Sequence, residues 1–143
     1  MKLEGQALVD YLNDKIIQNT LMQTLHITFV KAQGNTLTAQ MPVNSSVHQP
    51  MGMLHGGATA ALAESVGSTA SHVFVDIEKQ EIRGLELSIN HLQSKKKGMI
   101  YATAKPIHIG RTTHLWKITV VDEDDKIIAH AKMTNIVLQK LLK

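Results

Sequence analysis

The chain has 143 residues, 43% hydrophobic and 19% charged, enough for one hydrophobic core and too apolar for a disordered segment. A formal net charge of +3, spread along the chain, makes no electrostatic case for a nucleic-acid partner. The absence of cysteine excludes disulfides, thiolate metal sites and a cysteine nucleophile; no apolar run is long enough to span a bilayer or resembles a signal peptide, so a cytoplasmic protein without a membrane partner is expected.

Leu8, Leu12 and Ile16 recur at four-residue intervals with Tyr11 beside them, which predicts a short amphipathic helix within residues 1–20. Thr24–Gln33 and Thr36–Met41 read as strands joined by the tight turn Gly34-Asn35, with Pro42 closing the second and Asn44–Met53 forming a loop. Gly56 to about Val73 is Ala-rich and free of proline, the pattern of the main helix. Four extended segments follow: Glu81–Ser94, Met99–Ile109, Thr113–Asp122 and Lys126–Gln139. Lys95-Lys96-Lys97-Gly98, Gly110-Arg111-Thr112 and Glu123-Asp124-Asp125 lie between them as hairpin connections. Leu85, Leu87 and Ile89 alternate with Glu86, Ser88 and Asn90, as a sheet with one wet face requires. One long helix and five or six strands predict an α+β domain over residues 1–143, a curved antiparallel sheet wrapped on a helix.

The most informative stretch runs from His48 to Glu64. A Pro/Gly loop passes through His55-Gly56-Gly57 into the main helix, whose one carboxylate, Glu64, stands among Ala and Leu. A charge in such surroundings is desolvated and needs a reason. A helix that starts at Gly56 points free backbone N–H groups at the loop, and these favour an oxyanion. Gln49 and His55 add side-chain donors. Glu64 lies eight residues further on, about 12 Å along the axis, beyond the reach of its own side chain. If both groups act on one carbonyl, Glu64 comes from a second subunit, and two composite sites follow from a two-fold axis. Gly57, Ala60, Ala61, Glu64, Gly67 and Ser68 form a small-residue face for that approach, while Leu62, Val66 and Val73 suit the sheet. Each feature alone has an ordinary explanation: a Gly-Gly helix start, a solvated glutamate, a structural histidine. Their combination is what points to acyl transfer. None of the eight histidines falls in an H-E-x-x-H pattern, and no metal is expected.

At these residues the chain resembles the hotdog-fold acyl-CoA thioesterases of the PaaI type, on Gln49-Pro50-x-Gly52-x-x-His55-Gly56-Gly57, Ala63-Glu64-Ser65, Gly84-Leu85-Glu86, Asn90-His91 and Lys105-Pro106-x-His108-x-Gly110. Within that family it is similar to the branch holding the Arthrobacter-type 4-hydroxybenzoyl-CoA thioesterase and 1,4-dihydroxy-2-naphthoyl-CoA hydrolase. The resemblance implies Glu64 as nucleophile or general base, Gly56 N–H polarising the carbonyl, Gln49 and His55 positioning it, and Ser68 supporting the leaving side. It also implies coenzyme A, as part of the substrate and with no other cofactor, lying over Gly84, over His91, Leu92, Gln93 and Ser94, and over His108, Ile109, Gly110, Arg111, Thr112 and Thr113. Arg111 then meets a phosphate, and the expected assembly is a tetramer, a dimer of dimers. Aryl- and medium-chain acyl-CoA thioesters are the expected substrates, dihydroxynaphthoyl-CoA foremost. The alternative is a non-catalytic acyl-CoA sensor, which the presence of Glu64 disfavours.

Overall fold

The computed structural model describes residues 2–141. The N-terminal segment forms helix α1 (Gly5–Tyr11), continues as a π-helical turn over Leu12–Ile16, and is followed by the short helix α2 (Leu21–Thr24). Six strands follow: β1 (Thr28–Gln33), β2 (Thr36–Val43), β3 (Gln80–His91), β4 (Gly98–Ile109), β5 (Thr113–Asp122) and β6 (Ile127–Gln139). The main helix α3 (Gly56–His72) lies between β2 and β3 in the chain. All neighbouring strands are antiparallel, in the order β1-β2-β4-β5-β6-β3. The architecture is that of the hotdog fold, an α+β domain with a curved sheet around one long helix.

Alternation builds the concave face. Leu37, Ala39, Met41 and Val43 of β2, Ile100, Ala102 and Ala104 of β4, and Trp116, Ile118 and Val120 of β5 all point inward and are buried. Leu62, Ala63, Val66 and Ala70 of α3 pack against them. The alanines on both partners bring helix and sheet close together, and Gly67 takes this furthest. A Cβ on Gly67 would lie 2.8 Å from Met133 Sδ and 2.9 Å from Ile118 Cδ1. Gly67 therefore faces the sheet, and its expected place on the exposed small-residue face is wrong. A polar network locks the far half of the helix: Trp116 Nε1 donates to Ser71 Oγ at 2.7 Å, and Asn135 Nδ2 donates to Ser71 Oγ at 2.7 Å and to the Gly67 carbonyl at 3.2 Å. The N-terminal segment is tied to β1 by Asn13, whose amide exchanges two 2.8 Å bonds with the Phe29 backbone.

Four further expectations are corrected. The first strand begins at Thr28 instead of Thr24, because Leu21–Thr24 closes a helical turn and His26 takes a positive φ of 56°. Pro42 does not end β2: it sits opposite Met99, and the strand runs on to Val43. The segment Lys95–Gly98 is no hairpin. β4 already has β2 and β5 as neighbours, so the chain leaving β3 crosses to the other side of the sheet, held by Leu54 N–H to the Lys95 carbonyl at 2.8 Å. Finally, a bulge between Gly84 and Glu86 breaks the β3 alternation and leaves Leu85 59% exposed, while Leu87 and Ile89 pack on the core.

Candidate active site

The loop before α3 is a compact, hydrogen-bonded unit. His55 N–H donates to the Val47 carbonyl at 2.8 Å and Gln49 N–H to the Met53 carbonyl at 2.7 Å, while His48 Nε2 meets the Lys96 carbonyl at 2.6 Å. His55 is the N-cap of α3: its Nδ1 accepts from Gly57 N–H at 2.7 Å. One of the two glycine N–H groups is thereby taken, and His55 is left with Nε2 as its donor. Gln49 Oε1 accepts from Met51 N–H, which leaves its amide nitrogen free to donate. Gly56 N–H makes no hydrogen bond among the described residues. The helix start thus presents three donors, the Gly56 N–H, the Gln49 amide and His55 Nε2, where the dipole also favours negative charge.

The end of β3 closes over this helix start. A Cβ on Gly56 would lie 2.9 Å from His91 Nε2, so glycine is what permits the imidazole its place. Gly56, Thr59 and Leu54 face His91, Leu92, Gln93 and Ser94 across a cleft of about 240 Å³. On the other flank of the helix start lies an apolar cleft of about 290 Å³, walled by Leu21, Leu25, Val47, Ala58 and Ala61, with His55 at its edge.

Glu64 is not part of this end. Its side chain leans across β3 further along the helix, where a Cβ on Gly84 would lie 3.2 Å from Glu64 Oε1. The carboxylate is exposed in the protomer, against the expected desolvation, because β3 is a sheet edge and no described residue covers the helix beside it. Ser68 sits one turn further on, half-buried. The hairpin that holds His108, Ile109, Gly110, Arg111, Thr112 and Thr113 is tight: Gly110 N–H donates to the Thr113 carbonyl at 2.8 Å, and Arg111 is exposed. Thr113 pairs with Ile136 and His91 with Ala129, so seven residues of β6, about 23 Å, separate this hairpin from the cleft at His91. The expected substrate-binding residues therefore form two groups at opposite ends of one protomer. Lys95 is committed to an ion pair with Glu123, whereas Lys96 and Lys97 are exposed.

Sequence reasoning passed over Asn135. It is fully buried on the inner face of β6, opposite Gly84, and its Oδ1 has no partner among the described residues. The signal was present as an amide that interrupts the inward series Ala129, Ala131, Met133, Asn135, Val137. Among the described residues no group of three or more His, Cys, Asp or Glu side chains is placed to hold a metal ion, and no helix is long and apolar enough to cross a membrane.

A hotdog sheet with a glycine-started helix, a polar loop before it and one carboxylate on its open face defines a thioesterase-type scaffold. The family comparison agrees: residues 51–129 match the thioesterase superfamily model. The chain is 36% identical over 121 residues to the 1,4-dihydroxy-2-naphthoyl-CoA hydrolase of Escherichia coli, covering 85% of this chain and 88% of that protein. It is equally similar, with the same coverage, to the proofreading thioesterase EntH of Klebsiella pneumoniae. The crystal structure of a mutant thioesterase PA1618 from Pseudomonas aeruginosa superposes with a TM-score of 0.89 at 41% identity, over 92% of this chain and 94% of that one. The chain belongs to the thioesterase superfamily and is a thioester hydrolase.

Proposed function

We propose that the protein hydrolyses aryl- or medium-chain acyl-CoA thioesters to the free acid and coenzyme A in a composite site built by two copies of the chain. The observation that carries this reading is the separation of donors from acid: Gly56, Gln49 and His55 at one end, Glu64 over Gly84 about 12 Å further along the helix. β3 is a twelve-residue sheet edge. Antiparallel pairing of β3 with the β3 of a second copy, about an axis near Leu87 and Ser88, brings Gly84 of one copy towards His91 of the other. Glu64 of one copy then faces the helix start of the other and leaves solvent.

The chemistry follows from the groups present. Gly56 N–H polarises the thioester carbonyl, and Gln49 and His55 hold it as negative charge develops on its oxygen. Glu64 is the catalytic carboxylate, with Ser68 beside the departing thiolate, a leaving group that needs no strong general acid. The two expected coenzyme A segments also meet across the axis, the cleft at His91–Ser94 on one copy and the hairpin with Arg111 on the other. The apolar cleft beside His55 offers room for the acyl group. Two such dimers make the proposed tetramer, acting in the cytoplasm with coenzyme A arriving as part of the substrate and no other cofactor. 1,4-Dihydroxy-2-naphthoyl-CoA is the first substrate to test, because relatives in Escherichia coli and Listeria monocytogenes carry its hydrolase name. The deciding experiment measures free thiol released from aryl- and alkyl-CoA esters by wild type and Glu64→Ala. Hydrolysis by wild type alone supports the reading; equal hydrolysis by both removes Glu64 from it.

A further inference from the structure

The end of α3 remote from Gly56 borders another cavity, of about 380 Å³. Thr69, at its floor, lies thirteen residues beyond Gly56, about 20 Å along the helix axis, so this cavity is separate from both clefts at the helix start. Leu8, Leu12 and Ile16 form its apolar wall, because their four-residue spacing sets them on one side of the N-terminal segment. Tyr11 and Ile77, both exposed, stand at its rim. The wall includes the π-helical turn Leu12–Ile16, closed by Ile17 N–H to the Leu12 carbonyl at 3.2 Å. Turns of this kind are rare and recur at functional sites.

The opposite side of the cavity is polar. Thr69 and His72, three residues apart, share one face of α3. Thr69 is only 5% exposed, yet its hydroxyl bonds no described residue, unlike that of Ser65, which donates to the Ala61 carbonyl at 2.7 Å. The Lys140 ammonium donates to the Ile77 carbonyl, which leaves it two further N–H donors. Partial burial, and then the charge of Lys140, hold the His72 imidazole below its usual value, so the ammonium acts on the same corner. No Asp or Glu lines the cavity. Asp76 pairs with Lys79 at 3.5 Å, and among the described residues no carboxylate pairs with Lys140. An apolar wall facing one cation and an unmet hydroxyl is complementary to a monoanion with an apolar body.

We propose that this cavity is a second ligand site, which binds a medium-chain monocarboxylic acid away from the catalytic groups. The alkyl chain lies along Leu8, Leu12 and Ile16 under the rim of Tyr11 and Ile77. The carboxylate meets the ammonium of Lys140 in a charge-assisted hydrogen bond, with His72 and the Thr69 hydroxyl beside it. A single ammonium suits a single carboxylate and gives no grip on a ligand with several phosphates. Free acids are also the chemical class that thioester hydrolysis releases, so this ligand is present wherever the enzyme works.

The test titrates the whole protein, labelled with carbon-13 at the isoleucine δ1-methyl groups, with octanoate. Ile16 and Ile77 line this cavity, whereas Ile128 lines the cleft at His91, so the methyl signals tell the two sites apart. Ile16 and Ile77 are expected to shift together and to saturate. Octylamine, which has the same body and the opposite charge, is expected to bind at least about 10-fold more weakly. Lys140→Met and Ile77→Glu change exposed side chains, and each is expected to weaken octanoate by about 10-fold or more while thiol release from acyl-CoA stays at the wild-type rate. The titration needs no thioester, so Glu64→Ala is expected to bind octanoate as wild type does. Unmoved Ile16 and Ile77 signals, a shift of Ile128 alone, equal affinity for octanoate and octylamine, or wild-type binding by Lys140→Met overturns the proposal.

Discussion

The sheet end that receives the α3 N-terminus is furnished with donors, Gly56 N–H, the Gln49 amide and His55, whereas the region around Gly84 carries an acceptor, the exposed carboxylate of Glu64. In the proposed reaction a thioester carbonyl needs the first set and its attacker the second. The helix that connects them also holds them apart, about 12 Å along its axis. In the proposed function, one helix laid along one sheet is thus what calls for a second copy of the chain.

The largest expected effect comes from emptying the acceptor region: Glu64→Gln should lower kcat on the order of 10³-fold, with unchanged circular dichroism and sedimentation, checked by thiol release. Mixing tests the separation directly. Glu64→Ala and a helix-start variant such as His55→Ala, unfolded and refolded together, should recover about a quarter of wild-type activity, because hybrid dimers carry one intact site. If the mixture stays as inactive as its parents, the two regions do not meet across a two-fold. At the contact of helix and sheet, Gly67→Ala should destabilise by about 1–3 kcal/mol, since its Cβ would press on Met133 and Ile118; the urea midpoint should fall without a change in m.

The smallest effect is acid sensitivity at the hairpin end. His114 is buried, and its Nδ1 has no partner among the described residues; burial pushes its imidazole below the usual value, the Gly110 backbone offsets part of this, and the charge of nearby His108 adds to the lowering. The unfolded chain therefore binds the proton more readily. The stability tied to the neutral ring is complete above about pH 6.5 and is lost as pH falls through the lower, folded-state value. The urea midpoint should drop between pH 7.5 and 5, and drop less in His114→Gln.

Local signals carried much of the reading. The α3 start at Gly56 was legible because glycine, proline and an alanine run punctuate the chain sharply, and β5 was legible to the residue, Thr113–Asp122, between the turn segments Gly110-Arg111-Thr112 and Glu123-Asp124-Asp125. The partner of β3 was not. Periodicity tells which face of a strand is wet but nothing about which strand lies beside it, so a crossover at Lys95 looked like a hairpin. Gly67 was misplaced for a related reason: a glycine fits an open face and a crowded one equally well by composition, and only Met133 and Ile118, more than fifty residues away in sequence, decide which.

The sequence by itself determined most of the elements, the thioesterase resemblance and the distance between the Gly56 helix start and Glu64, because each depends on local spacing: 3.6 residues per turn, alternation by two, 1.5 Å per helical residue. The tertiary structure alone decided that His91 lies on Gly56, that Glu64 leans over Gly84, and that Asn135 is buried opposite Gly84 with its amide on Ser71. Those relations join residues from separate strands and the helix, and only the packing of the helix on the sheet brings them together.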